Sequence, residues 1–465
     1  MKRPTQERKI GWQAAFGAPG LRLDEGTMNK DNNGYSVDEF NDVGAGAGTD
    51  GRPNWKEREL TSEYLEGAQK RPGVDMPFLV ITLVILLMSL VMMLSASFAR
   101  SQFLSGEPMR FFIRHLIFIA SGISLMLLTS RFKVSIMRRW SMHLLLGSVA
   151  LLVVVLFIGE LFNDARRWIG VGELTFQPSE IVKVAVILSF AQMMSKFGPE
   201  RMKTLKFGVL PFAVIMVVIV ALLAQQPHYS AAIIIIALTA IMMFAGGTRL
   251  RWFAVAALIA VAAVGAVLLT SMRSLPKEEQ SQNITEYVTK IKWGDKLGYA
   301  GRRIDAWLDP DADPLRDGFQ IRQSLFAVGS GGLLGQGLGQ SRQKYLYLPE
   351  EINDYIFAVI CEELGFIGAL LILMLFVLLI VRGYWIALHA ANRFSSLVII
   401  GITSLLALQV FFHIAVVTNL IPATGISMPF FSYGGTALWI QLIQIGIILA
   451  VSREIPYEKI GKTTD

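Results

Sequence analysis

Phe78–Leu94 reads FLVITLVILLMSLVMML, seventeen residues without a charge. A helix rising ~1.5 Å per residue needs about 20 such residues to cross a hydrocarbon core of roughly 30 Å. A second run of the same kind, VLPFAVIMVVIVALLA, begins at Val209. The 465-residue chain is 53% hydrophobic and 17% charged, with a mean hydropathy of +0.50. Soluble domains average about 25% charged residues, so this composition excludes an ordinary soluble enzyme. The sequence predicts an all-α, polytopic membrane protein.

Ten transmembrane helices are predicted, at 77–98, 111–128, 142–158, 180–194, 207–223, 229–245, 253–271, 355–381, 396–418 and 430–451. With the N-terminus inside, the short cytoplasmic loops hold twelve Lys and Arg and the short outer loops hold four. That bias puts both termini in the cytoplasm. Residues 76–453 form the membrane domain, with a large extracytoplasmic loop, 272–351, between helices seven and eight. Residues 454–465 are a cytoplasmic tail. Residues 1–75 are polar, rich in Gly, Asn and Asp around NKDNNGYSVDEFNDVGAGAGTDG, and are expected to be cytoplasmic and largely disordered. No apolar stretch lies near residue 1, so the first span is expected to serve as the insertion signal.

One cysteine, Cys361, excludes an internal disulfide framework, and the five histidines show no metal-ligand spacing. They read as polar residues satisfied within a bundle or at its edges. The long loop carries ITEYVTKIKWGDKLGYAGRRIDAWL, whose mixture of apolar, charged and aromatic residues (Tyr287, Trp293, Tyr299, Trp307) suits a helix at the membrane interface.

LDPDADPLRDGFQ, residues 308–320, follows it. Asp309, Asp311 and Asp313 open like a calcium-binding EF-hand loop, which needs Gly at its sixth position and Glu at its twelfth. Pro314 and Gln320 stand there, so calcium binding by that motif is excluded. The prolines at 310 and 314 push Asp309 and Asp313 toward extended conformations. A stiffened carboxylate suits a catalytic base, and a plain surface turn fits the same residues. Physics alone leaves both open.

In ARRWIGVGELTFQPSEIVKVAV, Arg166 and Arg167 precede a turn-rich outer loop, and QPSE opens the fourth span, with Pro178 at its start and Ser179 as a cap. Glu180 and Lys183, spaced i, i+3, share one helix face. Ionisable residues inside spans mark function or a buried pair, and both readings stand. PEEINDYIFAVICEELG brings Glu350, Glu351, Asp354, Glu362 and Glu363 toward the same outer side. GSGGLLGQGLG, 329–339, lacks the Lys-Ser/Thr and βαβ context of a nucleotide site. It reads as tight turns or close backbone approach to a ligand. These groups serve either chemistry on a lipid-linked substrate or a transport path.

Together, ARRWIGVGELTFQPSEIVK, DADPLRDGFQIRQSLFAVGSGGLLGQGLGQS, YLPEEINDYIFAVICEELG and IPATGISMPFFSYGGT resemble the SEDS family (shape, elongation, division and sporulation). The matches run in order from about residue 77 to the end of span ten. SMPFFSYGGT, with LSAS ending span one, is more similar to the division and sporulation branches than to the elongation branch.

The resemblance implies a peptidoglycan glycosyltransferase polymerising lipid II at the outer face of the bacterial cytoplasmic membrane, at the division septum. It implies a growing glycan strand on undecaprenyl pyrophosphate, a class B penicillin-binding protein and other division-machinery membrane proteins as partners, and no nucleic acid. It makes Asp313, in Asp313-Pro314 with Gly318-Phe319-Gln320 following, the essential aspartate and general base. It makes Arg166, Arg167, Glu180, Lys183, Gln320, Gln323 and Ser324 substrate-binding residues. A divalent cation, Mg or Mn, is an implied cofactor with no ligand set identified. The chain departs from the family pattern at His228, where many members carry Asp, and at Thr424, where many carry Lys. A lipid II flippase, an elongation or sporulation polymerase of the same family, and a non-catalytic scaffold are the competing readings.

Overall fold

A computed structural model of the chain describes residues 73–162, 165–171, 174–273, 299–311 and 317–455. Expectations for residues 1–72, Tyr287, Trp293, Asp313 and the tail from 456 lie outside these.

The helices in chain order are α1 (Met76–Ser105), α2 (Arg110–Thr129), α3 (Val134–Ile158), α4 (Pro178–Met202), α5 (Leu205–Gly208), α6 (Leu210–Gln225), α7 (Tyr229–Ala245), α8 (Leu250–Arg273), α9 (Tyr299–Leu308), α10 (Asp317–Ser330), α11 (Ile356–Leu388), α12 (Arg393–Val417) and α13 (Gly435–Ser452). Among the described residues, α1 to α4, the α5–α6 segment Leu205–Gln225, and α11 to α13 are eight helices long and apolar enough to cross a membrane. Tyr229–Ala245 and Leu250–Ile259 are apolar and shorter. Eight of the ten expected spans fall on the eight long helices, and the expected spans 229–245 and 253–271 begin on the two shorter apolar segments. The last helix begins at Gly435 rather than 430, because Phe430 adopts φ +67° and its N–H goes to the Gln441 side chain (2.9 Å).

The stretch between α3 and α4, expected to be turn-rich, instead forms a small antiparallel sheet. Its strands are β1 (Glu160–Phe162), β2 (Ala165–Val171) and β3 (Leu174–Phe176), in the order β1-β2-β3. Glu160 stands opposite Trp168 and Ile169 opposite Phe176.

Lipid tails are as apolar as leucine, so close packing and interhelical hydrogen bonds hold such a bundle. Small residues permit the approach: a Cβ on Gly446 would lie 2.6 Å from the Met126 carbonyl, so α13 sits against α2 backbone. Trp439 Nε1 donates to Ser121 Oγ across the same interface (2.9 Å). At one end of the bundle, Asp75 caps α1 by accepting from Phe78 N–H (3.1 Å) and takes a two-pronged pair from Arg382 of α11 (3.0 and 2.7 Å).

Helix α11 breaks at Gly365 (φ +68°, ψ −171°). A broken helix inside a membrane must find other partners for its freed backbone groups. The glycine-rich loop supplies them. Gln336 and Gly337 N–H donate to the Glu362 and Glu363 carbonyls (2.9 and 3.0 Å), while Phe366 and Ile367 N–H donate to those of Gly332 and Leu333 (2.9 and 3.1 Å). A Cβ on Gly335 would lie 2.1 Å from the Glu363 carbonyl oxygen. The close backbone approach, expected toward a ligand, is made to the backbone of α11. Glu362 and Glu363, expected near the outer charges, hold the loop that follows. Ser341 Oγ donates to Glu362 (2.5 Å), and Lys344 Nζ pairs with Glu363 (2.8 Å), which also accepts from Ser95 Oγ of α1.

Candidate active site

Successive side chains of a strand point to opposite faces, so β2 separates the two arginines. Arg166 is exposed and donates to the Phe157 carbonyl at the end of α3 (3.2 Å), away from the cluster below. Arg167 turns inward and donates to the carbonyls of Gln226 (3.1 Å) and Pro227 (2.7 Å). Gln226 Nε2 donates in turn to the Leu152 carbonyl of α3 (2.9 Å). The turn joining α6 to α7 is therefore pinned from β2 and α3.

Helix α4 starts at Pro178, with Gln177 rather than Ser179 at the cap position and no side-chain capping bond. Proline already lacks one of the N–H groups a cap would serve. Ser179 is buried in the first turn. Gln177 is free to meet His228 instead, at 3.3 Å between the Gln177 amide nitrogen and His228 Nε2. One turn on, Lys183 Nζ lies 2.8 Å from Glu180 Oε1, both side chains under a tenth exposed. An ion pair this dry costs desolvation and is weak evidence for stability by itself, so its place at the mouth of the α6–α7 turn is the informative fact. His228 is buried, and its Nδ1 has no hydrogen-bond partner. Burial first, then the Arg167 and Lys183 charges, pushes its pKa down to about 3, so it is neutral.

On the other flank, Arg100 of α1 pairs with Glu351 (3.0 Å) and Glu350 (3.5 Å). Burial raises the Glu351 pKa against that pairing. Asp354 lies beside Gly425, where a Cβ would meet its Oδ2 at 3.2 Å. Burial and the Glu350 charge push its pKa up to about 6, opposed by Arg303 and Arg167. A carboxyl poised near neutrality between cations is a feature of working sites. Thr424, next to Gly425, has a buried hydroxyl without a partner.

The described residues on either side of Asp313 make the following contacts. Before it, Trp307 Nε1 of α9 donates to the Asn419 carbonyl (3.0 Å), and Asp309 accepts from Asp311 N–H (3.1 Å). After it, Gln320 donates to the Pro349 carbonyl (3.3 Å), and buried Ser324 donates to the Val417 carbonyl at the end of α12 (2.8 Å). Ser324 thus spends its hydroxyl on seating α10, and Gln323 is half-buried on the same helix. Arg322 pairs with Asp311 (3.3 Å) on an exposed surface.

The structure brings Arg167, Glu180 and Lys183 together and leaves Arg166, Gln320 and Ser324 in other contacts. Among the described residues, no three His, Cys, Asp or Glu side chains gather to hold a metal ion. Sequence reasoning placed Asp354 on the same outer side but missed Gln177 and Arg303 as neighbours of the cluster. Gln177 and His228 are 51 residues apart, and the only signal at His228 was that it departs from the family pattern.

The model of the family described as cell cycle protein, FtsW/RodA/SpoVE, matches residues 76–457. Stage V sporulation protein E of Bacillus subtilis is 38% identical, over 83% of this chain and 99% of that protein. The probable peptidoglycan glycosyltransferase FtsW of Trichlorobacter lovleyi is 36% identical, over 81% of this chain and 93% of that protein. The fold matches a chain in a peptidoglycan synthase complex that coordinates polymerization and crosslinking, with a TM-score of 0.64 and 23% identity, over 83% of this chain and 100% of that one. The chain belongs to the FtsW/RodA/SpoVE family, whose earlier-noted resemblance to SEDS proteins it bears out over the whole membrane domain.

Proposed function

We propose that the chain is a peptidoglycan glycosyltransferase that polymerises lipid II, with Asp313 as the general base. The observation that carries the reading is the pairing of FtsW-named relatives, 36% identical across the membrane domain, with a cationic cluster of Arg167 and Lys183 at the α4 entrance. The Asp313 carboxylate takes the proton from the 4-hydroxyl of the acceptor GlcNAc. The freed oxygen bonds to the anomeric carbon of the donor MurNAc, whose bond to the lipid pyrophosphate breaks with inversion, giving a β-1,4 link. The departing pyrophosphate is a weak base, so it needs charge neutralisation more than a proton, and Arg167 and Lys183 supply it. The protein acts in the bacterial cytoplasmic membrane with both termini inside and ten spans. It works at the division septum beside a class B penicillin-binding protein. The sporulation relative favours a spore-septum role as the second reading.

The test is purified protein, with and without that transpeptidase, incubated with lipid II and a divalent salt. Polymer is expected, and Asp313→Ala abolishes it while the melting temperature holds. Lipid crossing vesicle membranes without any polymer overturns the reading in favour of a flippase.

A further inference from the structure

The α6–α7 turn ends on a buried donor with nothing to bind. His228 is 7% exposed. Its backbone is fixed by its own N–H to Leu223 O (3.0 Å), and the preceding carbonyls of Gln226 and Pro227 are held by Arg167. Its Nε2 accepts from the Gln177 amide, which leaves the ring proton of the neutral imidazole on Nδ1. That atom is buried and has no partner. Buried polar groups are usually satisfied, and this one stands out because it sits on a triply anchored turn facing two cations. The charges facing it are Arg167 from β2 and Lys183 from α4, the latter already paired with Glu180. A donor beside two cations is met by an anion, and an anion with several acceptor oxygens satisfies all three at once.

We infer that His228 is a substrate-binding residue whose Nδ1–H donates to a pyrophosphate oxygen of the lipid-linked sugar donor, completing a subsite with Arg167 and Lys183. The inference rests on the glycosyltransferase reading for the identity of that donor.

Two near-isosteric variants separate binding from structure. Asparagine places its amide nitrogen near the position of Nδ1, and glutamine places its own near Nε2. Binding of inorganic pyrophosphate to the full-length protein in lipid nanodiscs, measured by calorimetry, is compared for wild type, His228→Asn and His228→Gln, with orthophosphate as the control anion. His228→Asn is expected within about threefold of wild type and His228→Gln about tenfold weaker, a factor that equals roughly 1.4 kcal/mol. The reverse order, or equal binding by all three proteins, overturns the inference and assigns His228 to holding Gln177 alone. Lipid II polymerisation by wild type is run alongside. Polymer from wild type with no change in pyrophosphate binding sinks the role of His228 and spares the glycosyltransferase. No polymer, with the Asn–Gln difference intact, leaves an anion site in a protein of another activity and removes the lipid donor as its ligand.

Discussion

Replacing Lys183 with methionine leaves the Glu180 carboxylate where it is and takes away the cation 2.8 Å from it. The two side chains are 3% and 8% exposed, so water cannot step in. Breaking a buried pair by removing one partner costs about 3–5 kcal/mol, whereas replacing both by apolar side chains of similar volume is often neutral. Lys183→Met and Glu180→Leu are therefore each expected to lose about 3–5 kcal/mol. The double variant is expected to lose far less than the sum of the two. Unfolding of the purified protein in mixed micelles, followed by far-UV circular dichroism, measures all four corners of the cycle. Single variants that lose under about 1 kcal/mol, or a double variant that loses the full sum, would refute a dry, mutually dependent pair. The same double variant separates stability from chemistry. It is expected to fold and yet make no polymer, because no methionine neutralises a pyrophosphate.

Gly335→Ala puts a carbon 2.1 Å from the Glu363 carbonyl at a φ of +80°, and is expected to lower the melting temperature by several degrees. Gly329→Ala, with nothing within 4 Å and an ordinary helical φ, is expected to be neutral or mildly stabilising in the same thermal scan. The Asp354 carboxyl titrates near 6 when folded, above its ordinary value of 3.8, so the folded state holds its proton more tightly than the unfolded one. Its contribution is present at low pH and is lost as pH rises from about 4 to about 6, at up to ~1.4 kcal/mol per pH unit. Asp354→Asn is accordingly expected to gain stability over wild type at pH 7.5 and none at pH 4. Equal pH profiles for the two proteins would show that the carboxyl is not perturbed.

The helices were legible because membrane spans advertise themselves by length and apolarity, and α1 reads directly from the run at Phe78. The sheet was not, because three strands of three to seven residues carry too little alternation to stand out from a turn-rich loop. Glu180 and Lys183 were found because their neighbourhood is local, one helical turn. Gln177 with His228, and Arg167 with the Pro227 carbonyl, are encounters across 51 and 60 residues that only the packing of β2 and α4 creates. Arg166 and Ser324 carried motif identity but not the orientation of their side chains. Strand alternation sends one to the end of α3, and the seating of α10 on α12 consumes the other.

The Asp75 N–H bonds to Ser452 Oγ, 377 residues away, and Trp439 of α13 bonds to Ser121 of α2. Helices α1 and α2 therefore complete these contacts only with α13, which is made after them. During synthesis, Asp75, Ser121 and the flank of α2 at Gly122 must wait in the membrane with those contacts unmade. Their exposure until α13 arrives is an opening for insertion chaperones and quality-control proteases. A chain terminated before Gly435 would remain in that state, so truncations near the C-terminus should be cleared rather than accumulate as partial bundles.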